Sequence, residues 1–191
     1  RSQADIARHS SKGLKSWEVA TIRSQVENTI ENASLYWNQP DKLAVQNALG
    51  RQAVIDAADL EGIGAEATNE RLQTFDSSFA KTSITSAISS SAEEGTAMME
   101  KHGGKLEGPD KVKLEKAVAA KAKAEKIQSD SQQAIVAGTK LVDTYDSREE
   151  VREQVNTIED PELRKKTMTE AMRQFNLKKQ GESEAQAESF E

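Results

Sequence analysis

The chain has 191 residues and a formal net charge of −6, with a pI near 5.2, a balance that excludes a general binder of the phosphate backbone. It has no cysteine, which excludes disulfides, thiolate catalysis and cysteine-based zinc sites. Leu, Ile, Val and Phe supply only 35 of the 191 residues while Ala supplies 25, so helices packed closely through small side chains are expected rather than a large apolar globule.

The first periodic stripe is Val19, Ile22, Val26, Ile30, Ala33 and Trp37, whose spacings of three and four predict a helix over 16–37. Upstream of it, Gly13 weakens the pattern, and 1–15 is expected to be a flexible segment. Each proline falls where a helix begins: Pro40 before Asp41, Pro109 before Asp110, and Pro161 before Glu162. The second helix is expected from Pro40 to Glu61, with Leu43, Ala53, Ala57 and Leu60 available for burial and Gly62-Ile63-Gly64 as its stop. A third, over 65–90, places Phe75 and Phe79 one turn apart and gives way to serines that predict a break near Ser91. A short helix over 92–102 ends at Gly103-Gly104.

The longest helix is expected over 109–145. Its apolar residues keep close to a 3.5-residue period, a bundle or coiled-coil spacing, and Ser131 and Gly138 interrupt the stripe where a neighbouring helix comes near. The stripe of Leu114, Val118, Ile127, Leu141 and Tyr145 is the candidate self-association surface, because the short helices beside it cover only part of its length. Lysines crowd 105–126, but interleaved acids make that run a solvated face. Ser147-Arg148-Glu149-Glu150 fits a capping box opening a short helix, and Asp160-Pro161 caps a last helix carrying Leu163, Met168, Met172 and Phe175. The stripe is lost after Leu177. The reading is therefore all-α: an elongated bundle or solenoid-like array of six to seven helices with one long central helix. It has a helical domain at 16–179 and an acidic tail or linker at 180–191.

Nothing in the chain converges for chemistry, and the reading is of a protein that is not an enzyme and binds no cofactor or metal. His9 and His102 lie far apart and neither belongs to a His-Glu-x-x-His spacing. His102, before two glycines, is expected to serve its helix end. Gly62-Ile63-Gly64 and Gly103-Gly104 follow no strand and lack the ending of a phosphate loop. Adjacent acids such as Glu93-Glu94 diverge by about 100° on a helix and share no substrate. No run approaches the ~18 apolar residues of a membrane span, so the segment is expected to be soluble.

Several stretches resemble a helical region of phage internal virion proteins, the DNA-ejection or pilot proteins. They are Tyr36-Trp37, Ala48-Leu49-Gly50-Arg51, Asp59-Leu60-Glu61-Gly62, Phe75 to Phe79, Met99-Glu100-Lys101-His102 and Ile158 to Arg164. The resemblance spans about 17–179. It implies a non-catalytic virion component that assembles with other copies of itself or other virion proteins and assists genome delivery through the host envelope. The place it implies is the virion, and after ejection the host periplasm or envelope. Glu182-Ser183 and Glu188-Ser189 echo the Glu-Ser pair of lytic transglycosylases, without that family's aromatic and glycine surroundings. The alternative reading is a cytoplasmic helical-repeat scaffold or adaptor that binds a protein partner.

Overall fold

A computed structural model describes residues 3–188, and the side chains of 13–184. The all-α expectation holds: seven α-helices and a short 3-10 turn account for the described elements, with no strand among them. The helices are α1 (Gln3–Tyr36), α2 (Pro40–Glu61), α3 (Ala65–Ser90), α4 (Ala92–His102), α5 (Gly108–Thr144), α6 (Arg148–Asn156) and α7 (Pro161–Glu188). At 37 residues α5 is the longest of them.

Local chemistry explains most boundaries. Gly62 takes the left-handed conformation (φ 72°), and its N–H bonds Asp59 O while that of Ile63 bonds Ala58 O, the paired closure that ends α2. Ser91 closes α3 and opens α4, its hydroxyl accepting the Glu94 N–H at 3.1 Å. Ser147 caps α6 likewise through Glu150, and Asp160 caps α7 by accepting the N–H groups of Glu162 and Leu163. Two ends run further than the apolar stripes predicted. The backbone of α1 continues through Gly13 to Gln3, and α7 continues past Leu177 to Glu188. A lone glycine, Gly13 in α1 or Gly181 in α7, costs a helix only about 1 kcal/mol, which the helix formers around it offset. Residues 1–2 and 189–191 of the expected terminal segments, and the side chains of His9 and Phe190, lie outside the described residues.

The expected helical domain at 16–179 is divided into two compact units, the first ending at Ala122 and the second beginning at Lys123. In the first unit α1 and α2 form a hairpin, tied by Asn32 to Gln46 at 3.0 Å, and both pack on α3. Its core gathers Ala33, Leu43, Val54, Phe75, Phe79, Ile84 and Leu114, with Val26, Ile30 and Trp37 against them. The Phe75 and Phe79 rings meet at 5.7 Å, tilted by 41°. Gly50 is the close-approach point of this unit, because a methyl group there would overlap the Phe75 ring and the Thr29 hydroxyl. Gly95 plays the same part for α4, lying against Ile88 of α3.

In the second unit the later part of α5 packs with α6 and α7 around Val142, Val151, Val155, Ala171 and Phe175. Gly138 brings α5 against α7 as expected: a methyl there would sit 3.0 Å from Ala171 N and 3.3 Å from its Cα. Lys178 of α7 donates to the Val142 carbonyl near the end of α5 at 3.1 Å.

Two glycine substitutions should move stability in opposite directions. Gly50→Ala gains helix propensity but forces the Phe75 ring to move, and should cost a net ~1–3 kcal/mol in chemical denaturation. Gly13→Ala meets nothing within 4 Å and should be neutral or stabilising by up to ~1 kcal/mol.

Candidate functional site

The stripe of five residues singled out from sequence is not assembled into one surface. Leu114 is 7% exposed and belongs to the core of the first unit, with Val118 packed against it. Leu141 and Tyr145 pack against the core of the second. Ile127 alone is open, at 50% exposure. Four of the five are thus drawn inward by their own chain, because the short helices are not the only cover: α3 flanks the start of α5, where Lys81 pairs with Asp110 at 2.9 Å and Lys121 donates to Ser89 O.

A better-formed recess lies in the first unit, between α1 and α3 over a floor of α2. Its volume is about 490 Å³, within the range of ligand and side-chain pockets. Val54 and Ala57 of α2 and Phe75 of α3 form the buried floor, and Val26 and Ile30 of α1 form one wall. Arg23, Glu27, Glu70 and Arg71 supply a charged rim, with Thr74 and Ser78 along the α3 side. Ala57 leaves the space open. A larger side chain one turn from Val54 would fill it from below.

At one end of the recess Glu61 holds two guanidiniums at once, Arg23 at 2.7 Å through one oxygen and Arg71 at 2.8 Å through the other. The Arg71 and Arg23 hydrogen bonds hold the Glu61 carboxyl below its ordinary range. Both oxygens are occupied and the group is a weakened base, so this cluster positions three helices and offers no proton acceptor for a reaction. A second hollow, bordered by Lys15, Ser16, Val19 and Ala20, lies on the other side of the Arg23–Glu61 pair. An apolar floor inside a charged rim is suited to seating an apolar side chain of a partner.

Elsewhere, His102 is half-buried at the end of α4 and its Nε2 has no hydrogen-bond partner. Burial, then the charges of Lys105 and Lys101, lower its pKa. No group of three or more His, Asp or Glu residues able to hold a metal ion occurs among the described residues. Both glycine pairs act as helix ends, Gly62 as described and Gly103-Gly104 within the 3-10 turn.

What the stripes missed is Trp17. It is 67% exposed, with Leu14 at 63% beside it, on the segment of α1 that runs beyond the Arg23–Glu61 pair. Its signal was present in the sequence: Trp17 stands nine residues from Val26, a half-turn remainder that puts it opposite the buried face. No protein-family model, no curated protein and no solved structure matches this chain.

Two measurements check this arrangement. Leu114→Ala should destabilise by about 2–5 kcal/mol in denaturant titration, whereas Ile127→Asp should shift stability by less than about 0.5 kcal/mol. Burial, then the charges of Lys105 and Lys101, hold the His102 pKa below its ordinary value of 6.5 in the fold. The unfolded chain then binds the extra proton first, so stability should be full above pH 6.5 and decline as pH falls below it. The difference in melting temperature between the chain and its His102→Gln variant, followed from pH 7.5 to 5, isolates that contribution.

Proposed function

We propose that this chain is a non-enzymatic structural protein that assembles with other copies of itself through helix faces, in the setting its resemblance to phage internal virion proteins implies. There it takes part in the particle and assists genome delivery through the host envelope. The observation that carries the assembly reading is the exposure of large apolar side chains: Leu14, Trp17, Leu35, Val45, Leu49 and Val136 are all more than half exposed. Single exposed aliphatics are ordinary. An exposed tryptophan with a leucine one turn before it, in a chain whose apolar supply is thin, is a contact held in reserve. No helix among the described residues is long and apolar enough to cross a membrane, and the virion role relies on the resemblance.

The apolar-floored recess favours a second reading, a helical adaptor that seats a segment of another protein. The two separate on molecular mass and on images. Light scattering of the full chain should show mass rising with concentration toward several copies. Electron microscopy of the assembled protein should show a ring or tube. A chain that stays monomeric at all concentrations and recovers a bound foreign peptide supports the adaptor and sinks the assembly reading.

A further inference from the structure

We infer that Trp17 and Leu14 of one copy insert into the apolar recess between α1 and α3 of a second copy, so that this chain carries both halves of its own assembly contact. The inference rests on the assembly reading above and names the surfaces.

The two halves are well formed on the same unit. The projecting half is a large aromatic side chain with a leucine three residues before it, both mostly exposed. The receiving half is a recess of about 490 Å³ whose floor is formed by the buried Val54, Ala57 and Phe75. A tryptophan and a leucine are the class of side chain that such a floor accommodates.

The chain cannot satisfy this pairing within itself. Val26 and Arg23 of α1 line the recess, and Trp17 lies on the opposite side of the same helix, nine residues and about 900° from Val26. Its own recess is therefore out of reach, and a second copy is the nearest source of a matching surface. Charge supports this occupant. Glu18 follows Trp17 and is exposed, and the incoming helix brings it to a rim where Arg71 gives Glu61 only part of its fork of five N–H donors.

The contact is heterologous: the surface given differs from the surface received. Each copy uses one of each, so association continues from copy to copy unless the geometry closes a ring. The contact area is small, in the range of weak and transient interfaces, and repetition along an assembly supplies what a single contact lacks.

Two variants of the full chain test it. Trp17→Ala removes the inserted group and leaves the recess whole. Thr74→Trp fills the recess from an exposed position on its lip and leaves Trp17 in place. Each alone should raise the concentration needed for association at least tenfold while circular dichroism remains unchanged. Mixed together they should form a species of two chains and stop there, because only one productive contact exists between them. Wild-type association that neither variant weakens overturns the inference while leaving the assembly reading standing. A mixture that shows no two-chain species, although each variant is folded and impaired, also overturns it. A wild-type chain that remains monomeric removes both readings at once, and a foreign helical peptide that binds this chain and is blocked by Thr74→Trp would then assign the recess to a different partner.

Discussion

The absence of a side chain at Gly50 allows the rest of the first unit to form. The Phe75 ring and the Thr29 hydroxyl lie where a methyl group on Gly50 would be, so α1, α2 and α3 meet at a point that only glycine permits. A chain with few large aliphatics has two ways to bury enough surface: bigger side chains or shorter distances between helices. This one takes the second. The same solution recurs where Gly95 meets Ile88 and where Gly138 meets the Ala171 backbone, and alanines such as Ala33, Ala58, Ala87 and Ala171 are wholly buried. Close helices gain dispersion contacts that small residues could not supply at ordinary spacing, and the interior tolerates little change in volume as a result.

That packing also makes the recess. With Gly50 drawing Phe75 toward α2, the ring becomes part of a floor that continues through Val54 and Ala57. Ala57 is nearly inaccessible yet small, so the wall of α1 formed by Val26 and Ile30 stands off from α3 instead of closing on it. Glu61, at the end of α2, fastens the open side through Arg23 and Arg71. These ion pairs are partly exposed and individually weak, but one carboxylate shared by two helices fixes where the rim begins. The recess is thus a by-product of economical packing, and its chemistry is that of a seat for apolar atoms.

How much of this was legible in the sequence depended on how local the physics was. Helix starts at Pro40 and Pro161, the Gly62 stop, and the caps at Ser91, Ser147 and Asp160 are decided by neighbours within four residues, and each is where the sequence placed it. The close approach at Gly138 was also readable, since a glycine inside an apolar stripe has few other uses. The division at Ala122 and Lys123 was not. The stripe of α5 is regular from Leu114 to Tyr145, and no residue in it records that Leu114 is taken by one core and Val142 by another. Periodicity gives the face of a helix, and only tertiary structure says what lies against that face. The recess was hidden for the same reason, since its lining is gathered from three helices between Arg23 and Ser78. Trp17 was half legible: its register against Val26 is a matter of counting, but its significance depends on the helix extending past the end of α2.

Scarcity of apolar surface also links stability to assembly. A protein with abundant aliphatics can leave some exposed with little consequence, but here each large side chain left in water is one withheld from a thin core. Trp17 is one of only two tryptophans, and the other, Trp37, packs against the core of the first unit. Placing the other on the far face of α1, where it stays 67% exposed, forgoes intramolecular burial. Such a position makes physical sense when the burial is completed by another molecule. In the proposed assembly, the exposed part of this hydrophobic surface is buried only when copies meet, so that assembly and folding draw on the same limited set of side chains.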